Sequence, residues 1–391
     1  MMKTWRILGR ILAGMGFLLC AGAARAEIAV SANDGKQLLS GDAGVIPDSV
    51  TVLDIGPGNV KVVGSLAVPA AMIGPPRAVA VAADGKLAIV TACQSLVDGA
   101  LAPADTVSVL DLSAPAHPRL LQSLHAGPGA SGVSISPNGR LALVANAEDN
   151  SISIFSIAGK RLRNEGKVAL GDKTGPTDVL FTRDGKSAIA VEHGAVSRLA
   201  FLSVEGSHVA LTGKAIAAGR LPYGAVVTRD NRYVINTNVG GAMPLPGEAK
   251  SRSRTSTVVM TDIASGAAVA SVDVGPVSEH VTLSADGKYA LVVVANGAAT
   301  VRSDPKYDRV LGLLEIYAVG DGTLTEVARA DTCHWSQGAT FSRDGKTILL
   351  QCATEREIEV FHFDGAALTR DKGATMVFAA RPGSIATASS R

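Results

Sequence analysis

The sequence predicts an all-β fold: a seven-bladed β-propeller of four-stranded antiparallel blades, closed by a C-terminal strand that completes the N-terminal blade. Three features of the 391 residues lead there. One phrase returns six times, an alternating strand occurs seven times, and the chain's tail repeats the first strand of that phrase.

The phrase reads "VAVAADGKLAIV", "VSISPNGRLALV", "VLFTRDGKSAIA", "AVVTRDNRYVIN", "VTLSADGKYALV" and "ATFSRDGKTILL". Its turn anchors are Asp84, Asn138, Asp184, Asp230, Asp286 and Asp344, spaced 46 to 58 residues apart, which suits four strands per unit. Asp-Gly or Asn-Gly tolerates positive φ and closes a tight hairpin between an inner strand A and its neighbour B. A basic residue follows and keeps the turn tip solvated. Strand C then alternates strictly, as in "TVSVLDL", "SISIFSI", "TVVMTDI" and "IEVFHF". A less regular strand D completes each unit.

There are six A–B phrases but seven C strands, because "SVTVLDI" precedes the first anchor. The segment starting "AVSANDGKQLLS" runs parallel to "IVTACQSLVDGA" from residue 89, so the first unit opens on strand B and lacks its own strand A. The tail "RPGSIATAS" from residue 381 superposes on "PPRAVAVAA" at 75–83. It is expected to supply the missing inner strand, so that both ends of the chain share one blade and the ring has no gap.

The first 26 residues read as a secretory signal: Lys3, Arg6 and Arg10, the uncharged run "ILAGMGFLLCAGAA", and a small-x-small site at Ala24–Ala26. That run is shorter than the roughly 20 residues of a membrane-spanning helix. Residues 27–391 are expected to form one propeller domain in a bacterial periplasm or outside the cell. Losing the leader removes four basic residues (Lys3, Arg6, Arg10, Arg25) and takes the formal charge from +2 to −2. A nucleic-acid partner would need a basic excess, so none is expected, and the chain reads as a monomer. Cys93, Cys333 and Cys352 remain, and with no C-x-x-C-H there is no covalent haem signature. A Cys333–Cys352 bridge is left open, because the naive register sets the two about four residues out of line.

Repeated "P-x-G-hydrophobic" before a strand ("LPYGAVVTRDN"), with "DGKYALVVVAN" and "SVTVLDI", resembles the YVTN-type, lactonase-like β-propeller superfamily over nearly the whole mature chain. The resemblance implies the fold. It implies no single function, since the superfamily holds sugar-lactone hydrolases, subunits of periplasmic amine dehydrogenases and proteins of no known activity.

The residue seven before each anchor is expected at the mouth of the central channel: Arg77, Ser131, Thr177, Tyr223, Glu279 and Gln337, with Gly383 from the tail. With a two-residue turn their cross-strand partners are Ala92, Asn146, Glu192, Asn238, Val294 and Cys352, a pairing that a one-residue bulge would shift. Long B–C insertions at 34–49, 94–105, 239–255 and 297–309 crowd the same face, one of them carrying Lys250, Arg252 and Arg254. Ligand-binding candidates are thus Arg77, Asn146, Thr177, Tyr223, Asn238 and Gln337, joined by His334 and Trp335 in the loop entering the last blade.

Glu192, Glu279 and His280 are the catalytic candidates, although strand neighbours point to opposite faces and a Glu–His dyad within one strand is not expected. Cys93 reads as a buried thiol rather than a nucleophile. No cofactor is predicted; a divalent cation is possible, with Glu192 and Asn238 as oxygen donors, as the resemblance to one kind of lactonase implies. The leading functional reading is a scaffold that binds a periplasmic protein or a small anionic or polar ligand at the mouth. The alternatives are a lactonase-like hydrolase of a sugar lactone, with Arg77 polarising a carbonyl, and the propeller subunit of a periplasmic redox enzyme.

Overall fold

The computed structural model describes residues 27–56, 59–74, 76–242 and 256–388. The leader and the Lys250–Arg252–Arg254 cluster lie outside them. Among the described residues no helix is long and apolar enough to cross a membrane.

The described strands form seven four-stranded antiparallel sheets. Six use consecutive strands. Their inner strands are Val79–Val81, Ala130–Ile135, Pro176–Phe181, Pro222–Val227, Ser278–Leu283 and Ser336–Phe341, in blades 2 to 7. Blade 1 is composite. Its order runs Arg381–Thr387, Glu27–Asp34, Ser49–Gly56, Asn59–Leu66, with the tail innermost. The closing register pairs Val30 with Ala386 and Ser31 with Ile385.

Closure is held by burial on both sides of the composite blade. Ala29, Leu53, Ile55 and Ile385 pack against Leu349, Ile358 and Val360 of blade 7. On the other side Val30, Val50 and Val52 pack against Val79, Val90 and Leu110 of blade 2. At about 25 cal/mol per Å² of apolar surface removed from water, such layers are the main stabilising term. A latch reinforces them: the buried guanidinium of Arg381 donates to the carbonyls of Gln37 (2.9 Å) and Ala353 (2.6 Å) and pairs with Asp42 in the 34–49 insertion.

Each A–B turn is wired by its anchor. The Asp184 carboxylate accepts from Thr182 Oγ1 (2.6 Å) and from the Lys186 amide (3.0 Å), and Asp230, Asp286 and Asp344 repeat the pattern. The next residue is glycine at positive φ, except in blade 5, where Asn231 takes φ +59°.

The 94–105 insertion is no loop. It continues strands Leu87–Val97 and Ala100–Asp111 as a projecting hairpin, closed by Asp98 and Gly99, both at positive φ. Asp-Gly is the expected sequence for such a turn. Cys333 and Cys352 are joined in a disulfide with Cα atoms 5.6 Å apart. The bridge forms because Ser336, not a later residue, pairs with Cys352, which draws Cys333 alongside.

Candidate functional site

Near the turns strand A keeps the simple register: Val79 pairs with Val90, and Ile135 with Ala142. Seven residues before the anchor, six of the seven blades slip by one residue, at Ser131–Gly132, Thr177, Tyr223–Gly224, Glu279, Gln337–Gly338 and Gly383. The column expected at the channel mouth is therefore a ring of β-bulges, which unpair a residue and re-aim its side chain. The partner column slides with it: Asn146 pairs with Ala130, Glu192 with Pro176 and Asn238 with Pro222, each one residue short of the expected partner.

That shift leaves the partner column inside the blades. Asn146 accepts from the Gly127 amide and donates to Ser151 and Ser153. Asn238 donates to Thr257 and accepts from Asn236. Glu192 is fully buried against Arg198. Glu192 and Asn238 sit in different blades with their oxygens committed to protein partners, so these residues do not fit a cation.

Gln337 donates to Glu279 over a long 3.4 Å. Glu279 has little else to stabilise its charge, and burial pushes its carboxyl up to about 7. Thr177 is occupied, its hydroxyl donating to the Tyr223 carbonyl at 2.9 Å. His334 lies apart. Stacked on Tyr307 with ring centroids 3.7 Å apart, it bonds to Glu355 and the Tyr307 carbonyl, which fastens the 297–309 insertion. Trp335, beside it, uses its backbone to tie Ala298 to Ala353. Neither lines the two cavities of the channel.

The mouth cavity, about 200 Å³, lies over blades 2 to 5 and is lined by Cys93, Ser131, Glu148, Thr177, His193 and Tyr223 among others. His193 and Tyr223 meet edge to face, ring centroids 4.8 Å apart. His193 Nδ1 is 3.0 Å from the Pro222 carbonyl, which only accepts, so Nδ1 holds the proton and Nε2 the lone pair. Burial holds this imidazole below its ordinary value, so it is neutral at pH 7. Burial, then the charge of Glu279, lifts the Tyr223 phenol well above its ordinary value and keeps it a donor. Burial also pushes the half-buried Cys93 thiol up to about 11, so it is no thiolate at neutral pH.

Arg77 turns away from this cavity. Its Nε lies 2.9 Å from Asp178 Oδ2, and with His280 it lines a second cavity reached from the A–B turn end. The candidate residues thus separate into a mouth group (Thr177, Tyr223, with Glu279 and Gln337 adjoining) and a deeper group (Arg77, His280). His193 was the residue to single out in place of Glu192: the sequence puts both near the mouth, and the bulge decides which one faces it.

The family described as lactonase, seven-bladed β-propeller, matches residues 88–220, from strand B of blade 2 to just past blade 4. No curated protein matches the sequence. Among solved structures, a candidate 6-phosphogluconolactonase of Bacteroides uniformis aligns at a TM-score of 0.69 and 17% identity, over 93% of this chain and 99% of that one. The periplasmic gluconolactonase of Pseudomonas aeruginosa aligns at 0.65 and 14%, over 92% and 98%. A candidate 6-phosphogluconolactonase of Bacteroides fragilis gives 0.68 and 19%, over 93% and 99%. At these identities the likeness is one of fold. The chain is a seven-bladed β-propeller whose residues 88–220 match the lactonase family.

Proposed function

We propose that the protein hydrolyses a sugar lactone in the mouth cavity. The observation that carries this reading is the neutral His193 set against Tyr223 on the cavity wall. His193 Nε2 takes a proton from water as the water oxygen bonds to the lactone carbonyl carbon. The Tyr223 hydroxyl donates to the carbonyl oxygen, where negative charge develops. The ring C–O bond then breaks, the proton passes to the ring oxygen, and an open-chain hydroxy acid leaves. The family match and the solved neighbours named as gluconolactonases support the substrate class.

The test is a panel of aldonolactones assayed by acid release. His193→Gln should lower kcat about 10²- to 10⁴-fold, and Tyr223→Phe about 10²- to 10³-fold. Because the imidazole titrates below its ordinary value, kcat/KM should reach its plateau before pH 7 and stay flat above it. Turnover untouched by either substitution would end this reading.

One observation favours a second reading, a scaffold for a partner protein. Leu38, Val45, Ile73, Leu96, Val97 and Leu101, all from blades 1 and 2 at the mouth, are exposed apolar side chains. Under that reading Val97→Asp abolishes co-purification of a stoichiometric partner while lactone turnover is absent from the start. For either reading we place the protein outside the cytoplasm, on the strength of its leader; amino-terminal sequencing of the exported chain should begin near Glu27.

A further inference from the structure

The deeper cavity is a site that lactone hydrolysis at the mouth does not use. It holds about 170 Å³ around the channel axis and has Pro137, Thr182 and Arg183 at its turn-side end. Arg77 and His280 form its polar end, while Val79, Leu180 and Val226 contribute apolar wall.

Two groups at the polar end have unmet capacity of opposite kinds. His280 is 3% exposed, and its Nε2 lies 2.8 Å from the Ala339 carbonyl oxygen. A carbonyl only accepts, so Nε2 carries the proton and Nδ1 the lone pair, and Nδ1 has no partner. A buried acceptor without a donor is costly, and a ligand O–H relieves it. Arg77 forms an ion pair with Asp178, Nε 2.9 Å from Oδ2, with 16% of its side chain exposed against none for Asp178. The Asp178 carboxylate is shared with the backbone amides of Val179 and Ala225. The Nη end of the guanidinium is left as a forked donor matched to a carboxylate.

We propose that this cavity binds a small hydroxycarboxylate, its carboxylate on Arg77, its hydroxyl donating to His280 Nδ1, and its short carbon skeleton against Val79, Leu180 and Val226. A plain carboxylate leaves Nδ1 unpaired. A diol leaves Arg77 without an anion. Inorganic phosphate keeps an O–H at neutral pH that reaches Nδ1, but it has no carbon skeleton to cover Val79, Leu180 and Val226. The hydroxycarboxylate alone satisfies both groups and covers the apolar wall as well.

The test is calorimetry on the whole protein with 3-hydroxybutyrate, butyrate, 1,3-butanediol and inorganic phosphate, with no lactone present. The hydroxy acid should bind one to one and at least tenfold more tightly than each of the other three, the difference expected of a hydrogen bond to a charged or buried group. In His280→Phe its affinity should fall to that of butyrate while butyrate is unchanged. Arg77→Gln should weaken both acids and leave the diol alone. Should that variant unfold because Asp178 is stranded, the double variant Arg77→Gln/Asp178→Asn gives the same readout. Four results overturn the proposal: no saturable binding, equal affinity for 3-hydroxybutyrate and butyrate, discrimination that survives His280→Phe, or phosphate binding as tightly as the hydroxy acid. None of them bears on turnover at the mouth.

Discussion

Replacing Glu279 by Gln should stabilise the protein at pH 8 by about 3 kcal/mol and change nothing at pH 4. The carboxyl is buried, has one long hydrogen bond from Gln337, and is pushed from 4.5 up to about 7. At 1.36 kcal/mol per pH unit the interval amounts to about 3 kcal/mol. The sign follows from proton binding. Between pH 4.5 and 7 the folded state holds a proton that the unfolded state has released, so unfolding becomes easier as pH rises. Below 4.5 both states are protonated and nothing is lost; above 7 both are ionised and the loss is constant. Glutamine keeps the shape without the charge, so its advantage should be absent below pH 4.5, grow to pH 7, and then level. Glu359 is also pushed up to about 7 by burial, but it is common to both proteins and cancels in the difference. Urea unfolding of the pair at pH 4, 6 and 8 reads the effect. A pH-independent difference, or a variant less stable at pH 8, would show that Glu279 is well solvated or paired.

Arg381→Met unties the closing strand and leaves the buried Ala353 carbonyl without its guanidinium donor, while Asp42 keeps Arg356; the loss should be about 1–3 kcal/mol in urea unfolding. Reducing the Cys333–Cys352 bridge, or Cys352→Ser, should cost about 3 kcal/mol for a loop of this length, read as a lower denaturation midpoint. Gly132→Ala would place its Cβ 2.7 Å from Asp178 Cα and 2.8 Å from the Thr177 carbonyl oxygen. Backbone atoms cannot swing aside, so it should destabilise by about 1–3 kcal/mol, which thermal unfolding checks against Gly139→Asn in an open turn.

Much of the fold was legible because each A–B hairpin is local. Asp184, its hydroxyl partner Thr182 and the following glycine specify the turn within a few residues, and the period then counts the blades. The 94–105 insertion was legible in the same way and misread: "VDGA" is a hairpin signal, and the structure extends two strands through it. The site was less readable. Asn146, Glu192 and Asn238 were assigned to the mouth on a continuous ladder, and the bulge moved them into the blades. A signal for that bulge was present. Gly132, Gly224 and Gly338 follow the bulged residue inside largely buried strands, and a Cβ there would meet Asp178, the Glu279 carbonyl or the Gln351 side chain within 3 Å. A glycine inside a strand marks a bulge or a close backbone approach.

The sequence by itself determined the number of blades, the turn chemistry and the join between tail and first blade, since these follow from period and from pairing between neighbours in the chain. Tertiary structure alone decided which side chains of different blades meet at the channel: His193 with Tyr223 at the mouth, Arg77 with Asp178 and His280 below. Six of the seven inner strands carry the one-residue slip, and at the bulge the backbone abuts the next blade some fifty residues on, Gly132 against Asp178 and Gly224 against the Glu279 carbonyl. A slip of one residue turns a side chain to the other face of its strand, so the chemistry of the channel depends on contacts between blades that the local pattern does not contain.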